Sequence, residues 1–541
     1  MSEAGPEGQD DMNEPRSPHP APRTPRPRAP QMRVRSLADA LEPNELAKLG
    51  TVELAEFLLS KRWFGAKAGK PSSVRVRDVI ALPWGGEGGR FAIARLEVVT
   101  EGASDAKTYQ LPLCVRGDAE LGDRKPKSIL ATVVAKEEEG LLFDAVEDGA
   151  FLRALADAIE RGGEFGSGRS RWVIETLSAA PLVVPASAAI RVGSVEQSNT
   201  SVILGEEAIL KLFRRLETGP NPDVELTRFL TIDAEFPHTP SLLGVVRFED
   251  GGTPTIAGML QEYLAKSVDA WAYALSRARP YFQSPKDREV ANPFLADAER
   301  LGSVTRALHD ALAKGTGPDL APEPASPALV EQWAARAKDW VRDGLALLDR
   351  QLRARALPKE RAAEADALAK RADRYLGTID EILNSIRGDA GLAIRIHGDY
   401  HLGQVLRTAS DDFMIIDFEG EPARSLAERR EKASPLRDVA GMLRSFAYAS
   451  ATLGMEAKSL DVGTRELRIG RWERDTRDAF MRGYLGADEK VRGILPSDPA
   501  HTYALLKLFE TEKAFYELAY ELNNRPDWAW IPMRGIAKLL A

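Results

Sequence analysis

Apolar residues recur along this chain at two spacings, and the change from one to the other predicts where helices give way to strands. Leu41, Leu46, Leu49 and the run Val52 to Leu59 follow helical spacing, while Val74 to Val76 and Phe91 to Leu96 read as strands. A second amphipathic helix is expected over about Phe151 to Ile159. Alternating Val202 to Leu204, a Gly205-Glu206-Glu207 turn and Ala208 to Phe213 predict a hairpin, entered through the small polar residues Gln197 to Ser201. Asn221-Pro222 reads as an N-cap followed by proline at the first helical position, opening a helix from Asp223 to Leu230. A further strand, Thr255 to Leu260, runs into Gln261-Glu262-Tyr263-Leu264. Beyond it the pattern is mostly helical, through Leu301 to His309 and residues 328 to 386, with charged residues on solvated faces.

Length and composition change this picture in five ways. A chain of 541 residues buries more than one core, so two or three domains are expected. The first thirty residues hold eight prolines with Arg23, Arg26 and Arg28 among them, which predicts a disordered tail over 1–35 that does no chemistry. The formal charge of −8 disfavours nucleic acid as the main partner. A single cysteine, Cys114, permits no internal disulfide. With no apolar run of about 18 residues, neither a membrane span nor a leader is expected, and the chain reads as cytoplasmic.

Candidate chemistry concentrates between His397 and Glu419, where Ile394 and Ile396 end a short strand before His397-Gly398-Asp399-Tyr400-His401-Leu402-Gly403-Gln404. So polar a cluster is costly beside a core unless it meets charge or metal. Asp399 is suited to accept the proton of an attacking hydroxyl, and Gln404 and Asp417 offer oxygen ligands to a magnesium ion on nucleotide phosphates. Glu419 is either a further metal carboxylate or the partner of Arg424 or Arg437. His397 and His401 read as rings that fix the loop. Upstream, Ser198, Asn199, Thr200 and Ser201 are placed to line triphosphate oxygens, and Lys211, charged within an apolar strand, needs an anionic partner. Glu225 is that expected partner, the alternative being that it complements the helix dipole. Backbone groups at Gln261, Glu262 and Tyr263 would hold an adenine. These loops, in this order, read as a two-lobed ATP- and Mg²⁺-dependent kinase.

The chain also resembles bacterial maltokinases, including the maltokinase portion of trehalose synthase fusions. The resemblance rests on Arg62 to Lys67, Gln197 to Ser201, Arg395 to Gln404, Ile416 to Pro422, Ser434 to Phe446 and Asn524-Arg525-Pro526 followed by Trp528. It implies an α+β, bilobal, protein-kinase-like fold related to aminoglycoside phosphotransferases, with an additional N-terminal cap and a largely helical C-terminal lobe. The implied domains are a tail over 1–35, a cap over 36–145, a nucleotide-binding lobe over 146–264 and a helical lobe over 265–541. Transfer of the ATP γ-phosphate to the anomeric hydroxyl of maltose is the implied reaction, feeding α-glucan synthesis, and a trehalose synthase is the implied partner. Trp63 and Phe64, which physics alone reads as a hydrophobic anchor, become part of the cap. Ala447 departs from the pattern, where an aspartate is expected, as does the proline-rich head, and no glycosidase-like barrel is expected ahead of the cap.

The acceptor site is expected on the last helices, which combine aromatic faces with hydrogen-bonding charges. Glu517, Glu521 and Asn524 share one helical stripe with Tyr520 beside it. Tyr520, Glu521, Asn524 and Arg525 are the main candidates for sugar contacts, joined by His401 and Arg437; an exposed face over buried aromatics is the plain alternative. Two other functions fit the same residues: a capped kinase acting on glucosamine or another sugar, and a non-catalytic pseudokinase scaffold.

Overall fold

The computed structural model describes residues 29–540 apart from 65–68, 85–89, 124, 137, 168–169, 178–183, 186, 194–198, 286–289, 387 and 487–492. Of the expected tail, residues 1–28 therefore lie outside the described residues, as does Ser198. The tail boundary needs correction. Gln31–Val34 is a strand that pairs in parallel with Ile129–Ala135, so the ordered cap starts before residue 36.

Six strands of the cap sheet run in the order Gln31–Val34, Ile129–Ala135, Glu138–Asp144, Lys107–Gly117, Phe91–Thr100 and Pro71–Leu82. The central run Phe91 to Leu96 is buried at every position, Arg95 included, which explains why it does not read as an alternation of apolar and polar residues. One face packs on Leu54, Phe57 and Leu58 of the helix Gly50–Leu59. Its other face, through Phe91, Ile93 and Cys114, shares a core with Phe151 and Leu155 of the helix Gly149–Arg161 and with the second sheet.

That second sheet is antiparallel, in the order Gly163–Ser167, Ser170–Thr176, Leu242–Glu249, Thr255–Glu262, Ala208–Phe213, Asn199–Leu204 and Ile190–Val192. Its hairpin forms as expected, with Ser201 opposite Lys211 and Leu204 opposite Ala208. The next residues, Arg215–Leu216, leave this sheet and pair with Tyr109 and Thr108 of the cap. At the same junction the Gln110 amide N–H donates to the Arg214 carbonyl at 2.8 Å, and its side chain donates to the carbonyl of Phe213 at 2.8 Å.

The rest of the chain is the helical lobe, whose principal helices are Ala270–Gln283, Leu295–Leu312, Pro327–Arg353, Leu436–Glu456, Val462–Leu485 and Pro499–Asn524. They enclose one core that includes Trp472, Phe480, Tyr484, Leu508 and Phe515. Leu295–Leu312 and Val462–Leu485 touch backbone to backbone: a Cβ at Gly302 would stand 2.0 Å from the Phe480 carbonyl, and one at Gly483 1.9 Å from that of Glu299. That close approach sets His309 against Tyr484. The architecture is the bilobal phosphotransferase-type kinase fold with an N-terminal cap. Among the described residues no helix is long and apolar enough to cross a membrane.

Candidate active site

The loop after Ile396 hangs from one buried carboxylate. Asp438, near the start of the helix Leu436–Glu456, accepts from the amides of His397 at 2.7 Å and Gly398 at 2.9 Å. His309 lies 3.3 Å from the same carboxylate and holds Tyr484 at 2.9 Å through its other ring nitrogen. A carboxylate without water needs such partners, and here they dictate where the loop sits. Burial works against its charge, but His309, His397 and the loop amides hold the Asp438 pKa below the usual range. The His397 ring packs against Tyr400 and Phe418 and bonds to the Ile416 carbonyl at 3.0 Å, which is the loop-fixing role expected of it.

Asp399 thereby faces a cleft of about 1650 Å³ between the lobes, lined also by Asn199, His401, Glu419 and Lys513. Its Oδ1 lies 3.4 Å from the Lys513 ammonium, which also donates to Glu421 at 2.9 Å. Burial opposes ionisation of Glu421, yet Lys513 and Arg424 hold its pKa down to about 2. His401 binds the Gly403 amide through Nδ1 at 3.0 Å, so its proton is on Nε2, 3.9 Å from Asp399 Oδ2. The ring is therefore both a loop brace and part of the cleft wall.

Asp417 adopts φ of +68°, a left-handed backbone uncommon for a residue with a side chain and typical of functional loops. Its carboxylate accepts from Lys211 at 3.0 Å, and Asp223 accepts from the same ammonium at 3.1 Å. The other oxygen of Asp223 takes the Phe418 amide at 2.8 Å, tying the nucleotide lobe to this loop. Despite its burial, Lys211 and the Gln404 side chain keep the Asp417 pKa below the ordinary range. Burial and the charge of Asp417 push Glu419 the other way, to about 7. Oxygens of Asp223, Asp417 and Glu419 lie within 4.8 Å of one another. An all-oxygen set with surplus negative charge, partly neutralised by a lysine, suits a hard divalent cation such as magnesium.

Several expectations need correction. Lys211 pairs with Asp223 and Asp417; Glu225 is turned to Arg395 at 2.7 Å and Arg430 at 2.6 Å. Asn199 points into the cleft and donates to Glu419 at 2.9 Å. Thr200, on the opposite face of the strand, binds Arg214 at 2.7 Å and is not available to a phosphate. Ser201 is buried opposite Lys211. The amides of Glu262 and Tyr263 donate to the carbonyls of Ser241 and Glu207, and Gln261 is buried in its strand, so of the backbone groups expected to hold an adenine these two N–H groups are used within the lobe. Glu419 takes neither Arg424 nor Arg437: Arg424 binds Glu421 at 2.9 Å, and Arg437 pairs with Glu512 behind Asp399, outside the main cleft.

The acceptor candidates Tyr520, Glu521, Asn524 and Arg525 all line the cleft, on the helix Pro499–Asn524 and just beyond it. Glu521 binds Arg525 at 2.6 Å and receives the Tyr448 hydroxyl at 3.1 Å, while Glu517 binds Arg444 at 2.7 Å. Arg525 lies 4.8 Å from the Trp528 ring centre, and Asn524 donates to the Tyr520 carbonyl at 2.7 Å. Trp63 and Tyr109 of the cap form the facing wall. The departing residue Ala447 is buried and absent from the cleft lining, so its effect does not reach the acceptor site directly.

Sequence reasoning missed Asp223, Asp438, Glu421 and Lys513. For Lys513 a signal existed: it extends the stripe of Glu517, Glu521 and Asn524 by one turn. For Asp223 the signal pointed equally to its neighbour Glu225.

Two known families match separate parts of the chain. Residues 57–148 match the family described as maltokinase N-terminal cap domain, and 285–450 match the phosphotransferase enzyme family. A glucosamine kinase of Mycolicibacterium smegmatis is 29% identical over 351 residues, 64% of this chain and 78% of that protein. Another, from Streptacidiphilus jiangxiensis, is 26% identical over 349 residues, 64% of this chain and 72% of that protein. In three dimensions the chain resembles a glucosamine kinase in complex with glucosamine, ADP and inorganic phosphate, with a TM-score of 0.62 at 21% identity over 93% of this chain and 98% of that one. The chain is thus similar to the maltokinase N-terminal cap domain over residues 57–148 and to the phosphotransferase enzyme family over residues 285–450.

Proposed function

We propose that this protein is an ATP-dependent sugar kinase that phosphorylates the anomeric hydroxyl of maltose to give maltose 1-phosphate. The observation that carries the reading is the convergence, at one cleft, of a carboxylate on a rigid loop, a lysine-braced cluster of acidic oxygens, and an aromatic wall rich in paired charges. Asp399 accepts the proton of the attacking hydroxyl, and Lys211 meets the nucleotide phosphates. Asp417, Glu419 and Asp223, with Gln404 alongside, would hold magnesium, which supplies charge neutralisation at the phosphates. His401 and Lys513 frame Asp399 on the acceptor side.

Two carboxylates of the acceptor helix are already matched to guanidinium groups, Glu517 to Arg444 and Glu521 to Arg525. Such pairs offer both donors and acceptors to neutral hydroxyls and little net charge to an ammonium, which favours a neutral sugar such as maltose. The second reading, a kinase for glucosamine or another sugar, is supported by the names of the related proteins. A pseudokinase is disfavoured by the presence of Lys211, Asp399 and Asp417 together in working surroundings.

The test is a panel of maltose, glucose and glucosamine with magnesium and ATP, the product identified by phosphorus NMR. An anomeric phosphate on maltose is expected, with Asp399→Asn lowering kcat about a thousandfold while ATP still binds. Preferential transfer to glucosamine would replace this reading with the second one.

A further inference from the structure

The mechanism above leaves Lys513 with no task of its own, although it occupies the point where the acceptor wall meets the catalytic carboxylate. Three turns of the helix Pro499–Asn524 carry Asn524, Glu521 and Glu517 along the cleft, and the same stripe ends at Lys513. Its ammonium lies 3.4 Å from Asp399, 2.9 Å from Glu421 and 4.6 Å from the centre of the Tyr516 ring. The side chain is one quarter exposed, and it lines the open cleft.

A purely structural duty explains this poorly. Glu421 already has Arg424 at 2.9 Å, and Arg424 is in turn steadied by Glu512 at 3.5 Å. Lys513 is thus the member of this buried series of ion pairs that projects into the cleft, carried there by a side chain whose anchor is secured from behind. The chemistry also leaves room for such a cation. Asp399 must sit close to a transferring group that carries several negative charges, and Lys211 and the acidic cluster lie on the nucleotide side. Without positive charge on the acceptor side, the carboxylate would repel the group it is meant to receive.

We propose that Lys513 is a catalytic residue that donates a hydrogen bond to the transferring phosphoryl group from the acceptor side. This rests on the kinase reading above. In the step, the acceptor oxygen forms a bond to the γ-phosphorus and the bond to the β–γ bridging oxygen breaks, its electron pair leaving with ADP. The hydroxyl proton passes to Asp399, and Lys513 keeps its own. The helix that selects the sugar therefore also delivers a charge that the reaction uses.

Steady-state kinetics of Lys513→Met, Lys513→Arg and Lys513→Cys test this, with ATP affinity measured by calorimetry. Lys513→Met is expected to lower kcat about a hundredfold, with the KM for sugar and the affinity for ATP changed less than about threefold. Lys513→Arg is expected to retain more turnover than Lys513→Met. Treatment of Lys513→Cys with 2-bromoethylamine rebuilds an ammonium of nearly the same reach and is expected to restore turnover; Cys114 is fully buried and should not react. An unchanged kcat in Lys513→Met overturns the proposal while leaving the kinase reading intact, as does a loss confined to KM or to folding that alkylation fails to restore. Failure of the wild-type protein to phosphorylate any sugar overturns both.

Discussion

Asp223 and Glu225 lie two positions apart on one short helix and serve different parts of the molecule. Asp223 bridges Lys211 and the Phe418 amide at the reacting centre, whereas Glu225 clamps Arg395 and Arg430 beneath it. Two residues on a helix are roughly 200° apart, so only the docking of that helix decides which acid meets the lysine. Sequence spacing holds no information on that choice, which is why the lysine was legible and its partner was not. Separate consequences follow for each residue. Asp223→Asn should raise the KM for ATP and depress kcat with a modest change in stability. Glu225→Ala should leave a buried guanidinium unmatched and cost about 3 to 5 kcal/mol of folding free energy, read from urea denaturation. Equal kinetic damage from both substitutions would contradict this division.

At the level of elements, what was readable is what periodicity and caps encode. The hairpin around Gly205, the Asn221 cap and the helices over Leu301 to His309 and within 328–386 form where the pattern placed them. Less readable was the junction of cap and nucleotide lobe, since Arg214 looks like an ordinary strand-end cation. It is fully buried, joined to Asp144 at 2.9 Å and Thr200 at 2.7 Å, and its guanidinium lies 5.0 Å from the Trp63 ring centre. Nothing local in sequence announces a contact between residues so far apart. Arg214→Met should destabilise the protein by about 3 to 5 kcal/mol by stranding Asp144, and should alter the Trp63 fluorescence. An unchanged denaturation midpoint would show that this bracket is dispensable.

Across the whole molecule, ion pairs beneath the cleft link stability to pH. Glu421, with its pKa near 2 in the folded state and an ordinary value near 4.5 when unfolded, contributes in full above pH 4.5. Its contribution, about 3 kcal/mol for a shift of this size, is lost as pH falls from 4.5 towards 2. The stability difference between wild type and Glu421→Gln should therefore be largest above pH 5 and narrow steadily by pH 3. A gap that stays constant over that interval would rule the linkage out. The two-lobed plan was legible from the order of motifs, but this network was not, because it draws on Glu421, Arg424, Glu512 and Lys513 from distant segments. The strand Arg215–Leu216 has a consequence of another kind. By crossing to the cap, it closes an edge that the cap alone would leave bare. A gene encoding either part without the other would yield a protein with open strand edges, prone to stick to its own copies. Recombination between relatives should therefore exchange the cap and the nucleotide lobe as one block, with viable crossovers falling after Glu262, where the last strand of that lobe ends.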